Sequence, residues 1–180
     1  MALSTTRLPY GLRDIKVATL DSAGVKGTLV DLPAAQSLEF QESTSSQTLR
    51  GDDDNVAQRV TIDSVDWTLE SGGISFEAYT VIAGGAIVSS GVTPALKKTW
   101  TRLGTDAYPD FFMEGQSLSE SGGDHHLVFY RAKATQISGT LQDQDFWVSH
   151  AEGNAISTLT VADVGKVWAM VANETAATIV

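Results

Sequence analysis

The stretch QSLEFQESTSSQTLRGDDDNVAQRVTIDSVDWTLE, Gln36–Glu70, decides the fold. Its opening alternates: Leu38 and Phe40 share one phase, and Ser37, Glu39 and Gln41 share the other, which is the period-two signature of a strand. From Gln41 to Thr48 no side chain is apolar. A strand without an apolar face cannot pack on a core, so this part reads as an extended arm or a mobile loop. The acidic segment Gly51–Asn55 is a turn by composition. The return, Val56–Glu70, is rich in β-branched residues. Val60 and Ile62 share one phase, and Val65, Trp67 and Leu69 share the other. A phase switch near Asp63–Ser64 requires a bulge or a bend. The two halves predict one long hairpin, with an arm projecting at about residues 41–55.

Strand signals continue on both sides. Upstream, Leu12–Val17 alternates, and Val25–Val30 follows a Ser22–Gly24 turn. Downstream, Val92–Leu103, Phe111–Leu118, His125–Ser138 and Thr140–His150 read as strands, with a polar turn at Ala151–Asn154. The tail, Ile156–Val180, alternates again around Val167, Ala169 and Val171. The stretch Ser71–Gly85 is the one helix candidate, centred on about Gly73–Ala83. Ile74, Ala78, Val81 and Ile82 form an apolar face, Ser71 or Ser75 caps the start, and Gly84–Gly85 stops it. The expected class is mainly β: two packed antiparallel sheets, sandwich or barrel-like, with one flanking α-helix, in a single domain spanning residues 1–180.

The chain has 180 residues, 42% of them hydrophobic, enough for one domain with a sizeable core. There is no apolar run of 18 residues, which predicts no helical membrane span. The start, MALSTTRLPYGLRDIKV, lacks the apolar centre of a secretory signal. Cysteine is absent, so disulfides, thiolate zinc sites and cysteine nucleophiles are excluded. Twelve basic residues against 22 acidic ones give a formal charge of −10, which opposes binding to a phosphate backbone.

No constellation selects a chemistry. Asp124, His125, His126 and His150 are the metal suspects of a hydrolase reading, but adjacent strand residues point to opposite faces, so His125 and His126 do not easily share one ion. Asp52–Asp54 with Asn55 lacks the spacing of a calcium loop. Glu39, Glu42, Asp63, Asp66 and Glu70 contain no pair singled out as glycosidase carboxylates. Neither a G-x-S-x-G elbow nor a phosphate-binding glycine motif occurs. The four tryptophans, Trp67, Trp100, Trp147 and Trp168, read as core, with a sugar-stacking platform as the alternative. No enzyme activity, metal or cofactor is expected.

Three stretches taken together resemble the major tail proteins of siphophages. LRGDDDNVAQRVTIDSVDWTLESGGISFEAYTVIAGG, Leu49–Gly85, is similar to that family's central signature: an acidic turn, a strand and an S-G-G-I-S-x-E-A helix. LPYGLRDIKVATL (Leu8–Leu20) with VDLPAAQSLEF (Val30–Phe40) resembles its opening, and SESGGDHHLVFYRAKAT (Ser119–Thr135) its distal strand region. The likeness is greatest to the compact forms in phages of actinobacteria. The three-aspartate turn departs from the pattern.

The resemblance implies a non-enzymatic virion protein of the tail, assembled in the host cytoplasm. Six subunits would form a ring, and stacked rings a tube through which DNA is ejected without specific binding. Its partners would be further copies of itself and other tail proteins such as the tape measure and the tail terminator, with no membrane contact. Ring closure would use the edge segments Leu8–Leu20 or Lys166–Val180. Six copies would carry six times −10, or −60, per ring. An acidic lumen would repel DNA rather than hold it. Glu39, Gln41, Asp66 and Glu70, opposite the apolar phase of the hairpin, are the lumen candidates, with Asp63 at the phase switch. Arg50, Asp52, Asp53 and Asp54 are the candidates for contact between rings. The alternative function is a β-sandwich module that binds a ligand or carbohydrate.

Overall fold

The computed structural model describes residues 8–52, 54–158 and 160–180. Asp53, one of the ring-contact candidates, lies outside the described residues.

The chain is mainly β, with ten strands and one helix among the described residues. Strands β1 (Pro9–Leu20), β2 (Lys26–Asp31), β3 (Ala35–Gly51) and β4 (Asp54–Ser71) are followed by helix α1 (Phe76–Ala83). Next come β5 (Ala86–Ser90), β6 (Lys97–Thr101), β7 (Asp110–Ser119), β8 (Asp124–Thr140), β9 (Val148–Ala155) and β10 (Trp168–Asn173). They form two antiparallel sheets: β5–β6, and a large sheet of order β2-β1-β7-β8-β9-β4-β3 with β10 also on β8. The large sheet does not close into a barrel; β2 and β3 end its main path, and β10, paired with β8 alone among the described residues, leaves a further edge open.

The large sheet folds over on itself. Strand β8 takes β10 along Asp124–Phe129 and then β9 along Ala132–Thr140, with β7 on its other edge. In a flat sheet β4 and β7, separated by β9 and β8, would stand about 14 Å apart. Instead the rings of Trp67 on β4 and Phe111 on β7 are 5.7 Å apart, edge to face, and Phe40 on β3 meets Phe129 on β8. Two layers result. Between them lie the buried side chains of Ile15, Val17, Val65, Trp67, Leu69, Phe111, Met113 and Phe129, each fully buried large side chain contributing roughly 1.5–3 kcal/mol.

Helix α1 closes one end of this core. Ser75 is its N-cap, its Oγ accepting the Ala78 N–H at 3.2 Å. Gly84 ends it at φ 77°, a conformation that suits glycine. Ala78, Val81 and Ile82 are buried as expected, but Ile74 lies before the helix and is exposed; Tyr79 and Ala83 complete the buried face. Ser71 ends β4 instead of capping, and its hydroxyl donates to the Pro33 carbonyl at 2.9 Å.

Three expectations are corrected. Val92–Leu96 is a turn containing a cis Thr93–Pro94 peptide, so the expected strand shrinks to β6 and pairs with β5. The segment 141–147 joins two strands, and the supposed turn Ala151–Asn154 lies inside β9. Strand β1 lies between β7 and β2, but β2 pairs with it only along Lys16–Leu20, which leaves the first half of β1 without a β2 partner. Within the subunit the tail reaches β1 and β2: Lys16 Nζ donates to the Ile179 carbonyl (3.1 Å) and Lys26 Nζ to that of Val180 (2.9 Å). Among the described residues no helix is long and apolar enough to cross a membrane.

Candidate functional site

Strands β3 and β4 pair along their whole length, from Ala35↔Ser71 to Gly51↔Asp54. The register shifts where Ser43↔Ser64 is followed by Thr44↔Ile62, which leaves Asp63 as the extra residue of a bulge. This is the bulge that the change of phase at Asp63–Ser64 demands. Beyond it the hairpin leaves the body. Every described residue from Glu39 to Asp63 is exposed, and from Thr44 to Gly51 alone the ribbon extends about 26 Å. Val60 and Ile62 carry the inward phase of Val65 and Trp67 onto the arm, where they meet solvent. The end is a tight turn, with Asp52 at φ 47° between the paired residues Gly51 and Asp54. Arg50, Asp52 and Asp54 are all exposed there.

The outward face at the root of the hairpin is built in rows. Ser37, Glu70 and His150 form one, Glu39, Thr68 and Glu152 the next, and Gln41, Asp66 and Asn154 the third, running from β3 through β4 to β9. Opposite residues share a face, so the register brings Glu39, Gln41, Asp66 and Glu70 together and adds Glu152. His150 stands between two of the acids, its Nδ1 3.7 Å from Glu70 and its Nε2 3.6 Å from Glu152. Ser37 Oγ donates to Glu70 at 3.3 Å. Asp63 accepts from Ser45 Oγ at 3.0 Å, in the same outward phase but out on the arm, where Arg59 also points outward. On β8, Lys133 joins this face but pairs with Asp110, as does Arg131. Burial pushes the Asp110 carboxyl up, but hydrogen bonds from these two cations outweigh it and hold it below its ordinary value. With both cations held by Asp110, no ion pair among the described residues reaches the carboxylates of Glu39 or Asp66.

The metal suspects separate. His150 is on the outward face just described, and His125 points opposite to Asp124 and His126. Asp124 and His126 are buried. His126 Nε2 lies 3.0 Å from Asp124 Oδ2, and Nδ1 lies 2.5 Å from Glu114 Oε1. With a carboxylate on each nitrogen, both nitrogens must donate, so the ring is an imidazolium. Burial lowers its pKa, but the hydrogen bonds to Glu114 and Asp124 outweigh it and hold the pKa above its ordinary value. Burial likewise pushes Asp124 up. Its bonds from His126, Gln116, the Ala177 N–H and Asn173 reverse that and keep it well below the carboxylate range. The network leaves no free imidazole nitrogen for a base or a ligand. It clamps the tail: Asp124 holds the Ala177 N–H and Gln116 its carbonyl. Among the described residues no group of three or more metal-ligating side chains converges.

The tryptophans form no common platform. Trp67 is core, Trp100 packs on Tyr79, and Trp168 packs on Phe40 and donates to Glu42 at 2.7 Å. Trp147 lies against Gly139.

No protein-family model matches the chain, and no curated protein matches it. Among solved structures, a chain of the cryo-EM structure of the anti-feeding prophage (AFP) baseplate, 6-fold symmetrised, is similar at 11% identity and a TM-score of 0.47, over 94% of this chain and 97% of that one. A likeness this distant carries no inference about function.

Proposed function

We propose that the chain is a structural subunit that binds copies of itself and builds a hollow tail-type tube: hexameric rings, stacked, in the virion tail of a phage, assembled in the host cytoplasm. Its role is mechanical rather than catalytic. The observation that carries this reading is the β3–β4 arm. It is a two-stranded ribbon bare on both faces, with both edges unpaired beyond the bulge. Such a ribbon is marginal in water by itself and gains stability only against another surface. The sequence resemblance to siphophage major tail proteins supports a neighbouring copy as that surface, with the tape measure and tail terminator as further partners.

The outward acidic face supplies the second element of the reading. In a ring it would line the lumen and repel the DNA phosphates over roughly 8 Å at physiological salt. The rival, a carbohydrate-binding module, needs clustered exposed aromatics, and the tryptophans are dispersed. Negative-stain imaging of the concentrated protein tests the proposal. Rings or tubes are expected; a monodisperse monomer at every concentration would refute it.

A further inference from the structure

The arm tip carries the acids Asp52 and Asp54, with Arg50 beside them, between the well exposed apolar side chains of Leu49 and Val56, so acid outweighs base there. A second isolated hairpin, β5–β6, ends in the opposite chemistry. Val88, Val92 and Leu96 are exposed around Lys97. The register gives this ribbon two distinct faces. Ile87, Trp100 and Lys98 share the face turned to α1, where Lys98 pairs with Glu77 and Trp100 Nε1 donates to the Gly84 carbonyl. Val88, Thr99 and Lys97 share the other, and Lys97 makes no ion pair among the described residues.

The two hairpins sit at opposite ends of one strand. The arm tip is at the start of β4, and α1 with its bound β5–β6 ribbon follows the end of β4, about 56 Å further along. Within one subunit they do not meet. Between subunits, a tip that fits a different patch on the next copy makes a heterologous contact, which repeats without limit along an axis.

We infer that the outer face of the β5–β6 hairpin is the receptor for the arm tip of a second copy, Lys97 meeting Asp52 and Asp54 while Val88, Val92 and Leu96 cover Leu49 and Val56. This rests on the tube reading and names the surface that couples one ring to the next. The charged pair sets register and encounter rate, and the apolar contact supplies most of the adhesion.

Two full-length variants test it. D52K/D54K makes the tip basic and leaves the receptor basic; K97E makes the receptor acidic and leaves the tip acidic. Each alone presents like charges across the contact, so stacked assemblies counted by negative stain should fall by roughly tenfold or more, because weak surface pairs add around a ring. In an equimolar mixture every contact between unlike variants presents opposite charges, so a stack in which they alternate should form and stacking should be regained. D52N/D54N and K97Q, which only remove charge, should show a smaller loss, and they replace a reversed chain that does not fold. Stacking by either variant at the wild-type level, or a mixture that stacks no better than its components, overturns the contact while leaving the tube reading standing. If the wild type makes no assembly at all, both fall.

Discussion

Replacing His126 by Leu removes the one cation from a buried network and leaves Asp124 and Glu114 facing each other across an apolar side chain. Breaking a buried ion pair by deleting one partner typically costs about 3–5 kcal/mol. Here the lower end applies. Asp124 is fully buried but keeps donors from Gln116, Asn173 and the Ala177 N–H, and the Glu114 side chain, 12% exposed, can turn toward water. A loss of about 3 kcal/mol is expected, or roughly 6–12 °C in Tm for a chain of this size.

The pH dependence separates this mechanism from simple loss of packing. His126 has a folded pKa above its unfolded one, so its stabilisation is complete below pH 6.5, the ordinary histidine value, and is lost as pH rises through the folded pKa. Asp124 has the opposite sign: its contribution is present above 3.8 and is lost as pH falls toward its depressed folded value. Wild-type stability should therefore be greatest between these limits and decline on the alkaline side. H126L should lack that decline, so the gap between the two proteins narrows at high pH. Urea titrations of dilute protein at pH 5.5, 7 and 9 measure both effects. Exchange of the Ala177 amide, which donates to Asp124 at 2.8 Å, gives a local readout and should quicken in the variant. A loss under about 1 kcal/mol at pH 5.5, or parallel pH profiles, would refute the imidazolium assignment.

Excising Thr44–Ile62 and closing the hairpin with a short glycine-containing turn should leave the urea midpoint nearly unchanged and abolish tubes; normal tubes would show that the arm is not the coupler. Replacing Glu39 and Asp66 by Lys should permit assembly but slow DNA ejection from infectious particles, more so at low salt; unchanged ejection would mean that these side chains do not line the path. Gly153→Val should cost about 3 kcal/mol or more, because even a Cβ there stands 2.7 Å from Trp67 Cζ2 and closer still to the Lys133 carbonyl; an unaltered melting temperature would contradict the packing.

Where the two faces of a strand differ in polarity, the sequence was a sufficient guide. The β3–β4 hairpin, its bulge at Asp63 and the outward placement of Glu39, Gln41, Asp66 and Glu70 all follow from alternation, because Leu38, Val65, Trp67 and Leu69 face the core. The buried network was not legible. Asp124 and His126 look like turn residues next to Gly122–Gly123, and their burial depends on the tail crossing back over β8, a contact 53 residues away in the chain. No local pattern encodes a contact of that range, and a carboxylate that is fully buried only because its partners neutralise it has no hydropathy signature.

Strand β9 failed for a different reason, with a consequence for the acidic face. Its inward residues are Ser149, Ala151, Gly153 and Ala155. Hydropathy reads this row as neutral, hence as a turn, yet these positions must be small. Trp67 fills the space that larger side chains would take, and the Gly153 backbone lies directly against it. Alternation there is in size rather than polarity: Ser149, Ala151, Gly153 and Ala155 against His150, Glu152 and Asn154. Read that way, the outward phase follows, and with it Glu152 and His150, the members of the acidic face that the hairpin alone could not supply. The bulk of Trp67 thus sets both the small residues opposite it and the place of two charged groups on the far side of the sheet.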